Sequence, residues 1–332
     1  MTIKNRILPE IRRPRLKMLL NRERPVRLIE AHSGLAGLIG SRAHAVVDGA
    51  NVEFDGLWIS SLTSTAAKGL PDAELNTVAR RLETIDEILS ATDKPLLVDG
   101  DTGGDRVNFE YLCSKLEMMG VSGVVIEDKK YPKRNSLSSE ARQLMEDPAV
   151  FAHKIAAGRA VLQSDQFLIF ARIESFIAGL GLDDALNRAQ TYLLAGADGI
   201  LIHSKQSGPD EVYAFMQGYE AICNDLGFRY PVAVVPATYN SVSCAELFEH
   251  GIKVVIHSNH LLRASHLAMN AVCKLILESD RGLEANGFCT PLQDIFDLVG
   301  FTDVLKRDSE EASRAESCGD IKDNLLSLRK DG

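Results

Sequence analysis

The sequence predicts an α/β protein built as a (β/α)₈ TIM-type barrel, and three observations support this fold class. Short apolar segments alternate with amphipathic segments eight times over about 250 residues, the usual size of such a barrel. Each apolar segment ends at a polar residue, as strands do at a barrel mouth. The motif GxGxxG, typical of a doubly wound dinucleotide-binding sheet, does not follow the first strand.

The predicted strands are short and rich in aliphatic residues, as expected for strands buried on both faces of a parallel sheet. They are Val26–Glu30, Gly56–Ser60, Pro95–Asp99, Val124–Glu127, Phe167–Arg172, Gly199–His203, Val232–Val235 and Val254–His257. The polar residues at or just after their carboxyl ends are Glu30, Ser60, Asp99, Glu127, Arg172, His203, Thr238 and Asn259. Because strand ends converge at the mouth, we expect a site there.

Amphipathic segments predict the helices between these strands. They are Arg15–Asn21, a segment ending near Val47, another ending near Ser90, Phe109–Met119, Leu137–Leu162, Asp183–Ala195, Asp210–Leu226, Ala245–His250, a segment from Leu261 to about Leu277, and Pro291–Leu298. A polar loop is expected over residues 63–76. We predict an N-terminal arm over residues 1–25, a catalytic barrel with C-terminal helices over 26–300, and a charged, flexible tail over 301–332.

Composition narrows the function classes. The chain has 46 acidic and 37 basic residues, a formal charge of −9, which argues against nucleic-acid and membrane partners. A small anionic substrate needs only local positive charge. Six scattered cysteines form no CxxC pair, so we expect free, largely buried thiols and a cytoplasmic location.

Acidic residues at two neighbouring strand ends predict a metal site. Asp99 and Asp101 are two residues apart and would point the same way on a strand, beside Glu127. An all-oxygen set favours Mg²⁺, with Mn²⁺ as the alternative. The structural alternative is a polar turn.

Further candidates surround these acids. Lys133, Asn135 and Ser136 follow Glu127 and could grip an anion, or Ser136 could cap a helix. Arg172 ends a buried strand and needs an anionic partner, either a substrate or Glu174 or Glu127. His203 is either a catalytic or a core histidine. The backbone amides of Ser60, Ser61 and Leu62 could bind a carboxylate. Asp72 lies on a loop that is long enough to act as a lid.

Several motifs together resemble the phosphoenolpyruvate mutase/isocitrate lyase superfamily. The motif EDK, five residues, then NS stands at residues 127–136, and DGDTG stands at 99–103. ARIESFIAG stands at 171–179, with further matching blocks at 30–35 and 259–264. The similarity covers roughly residues 10 to 300.

The resemblance implies a Mg²⁺-dependent interconversion of phosphoenolpyruvate and 3-phosphonopyruvate, with a small anionic 2-oxo acid or phosphonate as substrate. Asp99 would bind Mg²⁺ directly, and Asp101 and Glu127 through water. The resemblance further implies these roles: the substrate carboxylate on Ser60, Ser61 and Leu62, the phosphoryl group among Lys133, Asn135, Ser136 and Arg172, and Asp72 as the gating acid. It also implies a homotetramer with C-terminal helices exchanged between subunits.

Departures from the family pattern keep other reactions open. Ser61 stands where the mutases usually have Gly, and the lid sequence KGLPDAE keeps only the Asp of its usual context. The segment after Asp101 also differs from the usual pattern. A phosphonopyruvate hydrolase, an oxaloacetate hydrolase or decarboxylase, and a silent 2-oxo acid binder are the alternatives. A C–C lyase is disfavoured because the Cys-containing lyase block is absent.

Overall fold

A computed structural model describes residues 7–138 and 140–328. These form two compact units, residues up to 266 and residues from 267 onward. The first six residues of the predicted arm, Ser139 of the predicted helix 137–162 and the last four residues of the predicted tail lie outside the described residues. Among the described helices, none is long and apolar enough to cross a membrane.

Eight parallel strands close into a barrel in the order β1-β10-β9-β8-β7-β6-β5-β4, which confirms the predicted fold class. They are β1 (Val26–Glu30), β4 (Gly56–Ile59), β5 (Leu96–Asp99), β6 (Gly123–Glu127), β7 (Leu168–Ile173), β8 (Gly199–Ile202), β9 (Val232–Val234) and β10 (Val254–His257). Two further strands, β2 (His44–Val47) and β3 (Ala50–Glu53), form an exposed antiparallel hairpin.

Helices follow the strands and cover the barrel. The first unit contains α1 (Pro9–Arg12), α2 (Arg15–Leu20), α3 (Gly34–Arg42), α4 (Ser61–Ala66), α5 (Val78–Ala91), α6 (Arg106–Met118), α7 (Pro148–Ala160), α8 (Ser175–Ala178), α9 (Gly181–Leu194), α10 (Asp210–Leu226) and α11 (Cys244–Glu249). Helix α12 (His260–Ser279) runs into the second unit, which also contains α13 (Leu292–Val299) and α14 (Phe301–Leu328).

The barrel interior is a separate apolar cluster, and side-chain alternation explains which residues enter it. Leu28, Leu97, Val125 and Phe170 are buried inward residues of this cluster, while the residues between them pack against the helices. Leu16 of α2 belongs to the same cluster. The interior is therefore filled by side chains rather than open.

The same alternation places polar side chains in the top layer of the interior. Two residues beyond each inward apolar residue come Asp99 on β5, Glu127 on β6 and Arg172 on β7. Glu127 and Arg172 pair directly in the strand register. Polar residues at the strand ends thus lie at the mouth because side chains alternate along a strand with a period of two residues.

Four local predictions differ from the structure. The loop expected over residues 63–76 begins only after α4, which ends at Ala66. The helix expected to reach Val47 ends at Arg42, and the hairpin follows. Residues 137, 138 and 140–147 are not helical, and α7 begins at Pro148 with Asp147 as its cap, so Ser136 does not cap α7. Asp101 lies beyond β5 in a turn with φ of 56° rather than on the strand. Residues 301–328 of the predicted tail form helix α14, and the flexibility of the tail stays a prediction.

The cysteine prediction is only partly met. No disulfide joins the five cysteines whose side chains are described, so these thiols are free. Cys113 and Cys223 are buried, whereas Cys273 and Cys289 are exposed.

Candidate active site

The candidate site lies at the carboxyl ends of β4 to β8. Asp99 and Glu127 end their strands, Arg172 lies one residue before the end of β7, and His203 directly follows β8. Ser60 follows β4 in the same way. All five side chains are buried, so each must find a polar partner inside the protein.

Asp99 is held by a network of donors from its own turn and from α4. Its Oδ1 accepts the Asp101 amide at 3.0 Å, and its Oδ2 accepts the Ser61 hydroxyl at 2.9 Å and amide at 3.3 Å. Arg81 of α5 donates to the Asp99 carbonyl and to the Asp101 carboxylate. These contacts fix both carboxylates before any ligand binds.

Lys133 brings a buried ammonium group into the cluster of acids. Its Nζ lies 2.9 Å from Asp101 Oδ1, 2.9 Å from Ser61 Oγ and 3.5 Å from Asp72 Oδ1. Burial would lower the pKa of Lys133, but the surrounding carboxylates, Asp101 first, raise it well above its ordinary value. Lys133 is therefore charged throughout the physiological range. It also holds the pKa of Asp101 below its ordinary value against the effect of burial.

Arg172 connects the acids to the opposite side of the mouth. Its guanidinium contacts the Glu174 carboxylate, lies 3.3 Å from Glu127 Oε2 and donates to Ser136 Oγ at 3.0 Å. Its Nη2 is also 2.8 Å from His203 Nδ1. Both ion-pair partners that the sequence offered for Arg172 are thus present in the structure. The planar guanidinium can contact several oxygens at once, as recognition of a phosphoryl group requires.

Glu174 is a buried carboxylate that contacts several donors on this side of the site. Its Oε2 accepts the Ser136 hydroxyl at 2.7 Å and lies 3.2 Å from Lys129 Nζ. Its Oε1 is 2.9 Å from His203 Nδ1. Burial would raise the pKa of Glu174, but Arg172 and His203 lower it well below its ordinary value. The ionised form of Glu174 is therefore favoured, and it orients the donors of Ser136, Lys129 and His203 that contact it.

His203 is a buried, neutral member of this group. Burial lowers its pKa, and Arg172 adds to that shift, while Glu174 opposes it. When Nδ1 bonds to Glu174 it carries the proton, because a carboxylate can only accept. The other ring nitrogen is then an acceptor.

The loop after α4 closes the site through Asp72. Asn135 Nδ2 donates to Asp72 Oδ2 at 2.6 Å, and Asn135 Oδ1 accepts the Leu137 amide at 2.9 Å. Asn135 therefore joins the loop that follows β6 to the loop that carries Asp72. Such a bond between two loops can act as a latch.

The donor set fits a divalent cation that keeps water ligands. Both carboxylate oxygens of Glu127 are buried without a hydrogen bond, and Asp101 Oδ1 has the Lys133 ammonium group as its partner. Burial raises the pKa of Glu127 to about 7 although nearby cations, Lys133 first, oppose the shift. Over residues 7–138 and 140–328, no three acidic, His or Cys side chains converge to hold an ion by themselves. Oxygen donors with space for water suit Mg²⁺ better than Zn²⁺.

The cavity enclosed by these residues is small, about 50 Å³, or room for a few water molecules. Ten of the twelve residues that the sequence proposed line it: Ser60, Ser61, Leu62, Asp72, Asp99, Lys133, Asn135, Ser136, Arg172 and His203. Asp101 and Glu127 are not among the lining residues. The structure therefore brings the proposed residues into one place, around a small cavity at the barrel mouth.

Some features of the site were not apparent in the sequence. The Ser60 hydroxyl is engaged by the Thr63 amide at 3.4 Å as the cap of α4, and the Ser61 amide by Asp99. Lys129, Arg81 and Glu74, which bind the site residues, were not proposed. Lys129 belongs to the EDK motif, which could have identified it. Arg81 lies on a helix, and no motif or strand end in the sequence marks it as a site residue.

Comparison with known proteins identifies similar chains over most of this length. A family model described as phosphoenolpyruvate phosphomutase matches residues 16–277. The protein of that name from Tetrahymena pyriformis is 36% identical over 284 residues, which cover 85% of this chain and 89% of that protein.

Solved structures also match most of this chain. The crystal structure of phosphoenolpyruvate phosphomutase from Streptomyces platensis subsp. rosaceus matches with a TM-score of 0.82 and 34% identity, covering 90% of this chain and 99% of that one. A phosphonopyruvate hydrolase crystallised with oxalate and Mg²⁺ matches with a TM-score of 0.79 and 30% identity, covering 91% and 99% of the two chains.

Proposed function

The chain belongs to the phosphoenolpyruvate phosphomutase family, and we propose that it interconverts phosphoenolpyruvate and 3-phosphonopyruvate with Mg²⁺. One observation carries the proposal: Lys133, Arg172, neutral donors and the Asp99 carboxylate line one small cavity, and the two cations are paired with Asp101 and Glu127. The cations and donors suit a phosphoryl group, and the acids suit a metal ion and the enolate of pyruvate.

The phosphoryl group would lie among Arg172, Lys133, Asn135 and Ser136. Transfer of phosphorus between oxygen and carbon passes through a loose transition state, in which negative charge is spread over the phosphoryl oxygens. Fixed donors around those oxygens stabilise this state without reorganising. Arg172 and Lys133 are held by buried carboxylates, so their charges are already in position.

The pyruvate part would lie on the other side of the cavity. Asp99 would hold Mg²⁺, with Asp101 and Glu127 nearby, and the ion when bound would supply positive charge to the enolate and carboxylate oxygens. Leu62, at the start of α4, would contact the substrate carboxylate, and Ser61 would do so when its amide exchanges Asp99 for the substrate. Ser61 Oγ lies 2.9 Å from both Asp99 and Lys133, so it connects the two halves of the site.

Closure of the mouth would decide the fate of the phosphoryl group. The bond between Asn135 and Asp72 supports a closed state that excludes water. A substrate larger than the present cavity requires this bond to open and close in each turnover. If water entered the closed site, the product would be inorganic phosphate.

Phosphonopyruvate hydrolysis is the second candidate. It is favoured by the similarity to the phosphonopyruvate hydrolase structure and by the lid sequence around Asp72, which departs from the mutase pattern. Both reactions would use the same cations and the same metal site. They differ in whether carbon or water receives the phosphoryl group.

Phosphorus NMR with phosphonopyruvate and Mg²⁺ tests the proposal. We expect a phosphoenolpyruvate resonance that is absent in a Lys133→Met variant and in the presence of EDTA. Inorganic phosphate as the sole product would identify a hydrolase instead. Cleavage of oxaloacetate with no change in phosphorus would identify a C–C hydrolase or lyase.

We further propose a homotetramer in which residues 267–328 pack against another copy. Three large apolar side chains of this unit are strongly exposed, Leu267 at 74%, Leu277 at 84% and Leu292 at 73%. Such side chains favour burial against a partner. The domain boundaries at residues 25 and 300 and the cytoplasmic location stay predictions from the sequence.

A further inference from the structure

Glu74, two residues after Asp72, has an unusual backbone conformation. Its φ of 57° lies in the left-handed region, which a residue with a β-carbon seldom adopts unless its surroundings enforce it. Favourable contacts of the Glu74 side chain must offset this backbone strain.

The Glu74 carboxylate accepts hydrogen bonds from two different loops. Oε1 accepts the Thr102 amide at 3.0 Å and the Thr102 hydroxyl at 2.7 Å. Oε2 accepts the Lys133 amide at 2.6 Å. The donors at Thr102 and Lys133 are buried, so they would lose their partners if Glu74 were removed.

These two donors stand next to the proposed chemistry. Thr102 directly follows Asp101 in the turn after β5. Lys133 provides the central ammonium group and lies two residues before Asn135, the partner of Asp72. Glu74 itself does not line the cavity. It contacts the residues that hold the site but not the space that the substrate would fill.

We propose that Glu74 is a positioning residue that straps residues 67–77 to the loops after β5 and β6 in the closed state. Two contacts close the mouth: the Asp72–Asn135 bond at the cavity and the Glu74 strap behind it. Loss of the strap leaves the site residues in place but lets the mouth open more often. Water then competes with carbon for the phosphoryl group.

Three variants separate the side chain from the backbone conformation. Glu74→Gly removes the carboxylate and relieves the left-handed strain, because Gly adopts a positive φ readily. Glu74→Gln keeps the size of the side chain but replaces one acceptor oxygen by an NH₂ donor. This donor faces the backbone N–H of Thr102 or Lys133, so one hydrogen bond is lost. Glu83→Gln is the matched control, since Glu83 is exposed on α5.

The first readout is the partition of product and rests on the proposed function. For Glu74→Gly and Glu74→Gln, we expect kcat to fall about tenfold or more, the usual effect of losing a hydrogen bond to a charged group. The fraction of phosphorus released as inorganic phosphate should rise several-fold. Glu83→Gln should match the unaltered protein. An unchanged kcat and phosphate fraction in Glu74→Gly would overturn the proposal.

The second readout is independent of the reaction. Hydrogen exchange of residues 67–77, measured with Mg²⁺ and oxalate, should be at least tenfold faster in both Glu74 variants than in the unaltered protein. Equal exchange rates would overturn the strap, whatever reaction the protein performs. If the unaltered protein forms no phosphoenolpyruvate but the exchange difference is found, the proposed function fails and the strap stands.

Discussion

Exchanging Asp72 and Asn135 tests whether the bond between them closes the active site. The Asn135→Asp variant places two carboxylates where the structure has an amide donating to a carboxylate at 2.6 Å. The double variant Asp72→Asn/Asn135→Asp restores one donor and one acceptor with their positions exchanged. In both variants the residue at 135 can still accept the Leu137 amide, so that local contact is kept.

The expected magnitude follows from the charge on the acceptor. A hydrogen bond to a charged group contributes roughly 1.5–3 kcal/mol, and about 1.4 kcal/mol corresponds to a factor of ten in rate. If closure precedes transfer, losing the bond should lower kcat by roughly 10- to 150-fold. Repulsion between two carboxylates places Asn135→Asp at the upper end of that range. The double variant loses the 3.5 Å contact of Asp72 with Lys133, so its recovery should be partial.

A double-mutant cycle on turnover of phosphonopyruvate measures the effect. We expect the double variant to be at least tenfold faster than Asn135→Asp, with thermal unfolding midpoints of all variants within a few degrees of one another. If the fall in kcat of the double variant equals the product of the falls in the two single variants, the residues do not interact, and a direct bond in the closed state is refuted. A large fall in the unfolding midpoint would instead assign the pair a role in folding.

Three further predictions concern the cations, the metal and the assembly. Arg172→Lys keeps the charge but loses the planar group that reaches Ser136 and His203, so kcat/KM should fall about 100-fold; a value within threefold would contradict the phosphoryl role. Asp99→Asn can still accept from Ser61 but loses its charge, so calorimetry with oxalate should give at least tenfold weaker Mg²⁺ binding; equal affinity would exclude Asp99 as the ligand. Leu277→Glu places a charge on a strongly exposed apolar position, so sedimentation should give a smaller species than the expected tetramer; an unchanged mass would exclude this position from the interface.

The barrel could be predicted from the sequence because its signal is local and repeated. Each barrel strand is a short apolar run with a polar residue at or soon after its end, and the alternation that buries Val125 also brings Glu127 to the mouth. The β2–β3 hairpin gave no such signal. Both of its strands are exposed, so the apolar residues there resemble the end of a helix as much as a strand.

The acids and cations of the site were also predictable, but their contacts were not. Asp99, Glu127 and Arg172 lie at strand ends, and parallel pairing brings strand ends together. Arg81 reaches Asp101 from a helix, and Glu74 reaches Thr102 from a loop, through side chains whose direction depends on the whole fold. Charged residues on helices and loops usually face water, so nothing in the sequence distinguished these two.

The central claim is that the site, when closed, passes the phosphoryl group between carbon and oxygen of pyruvate and excludes water. Conversion of phosphonopyruvate in ¹⁸O-enriched water, followed by phosphorus NMR, tests this claim directly. We predict phosphoenolpyruvate whose phosphoryl group contains no ¹⁸O, with at most a trace of inorganic phosphate. Inorganic phosphate that contains one ¹⁸O atom as the main product, together with pyruvate, would contradict the account.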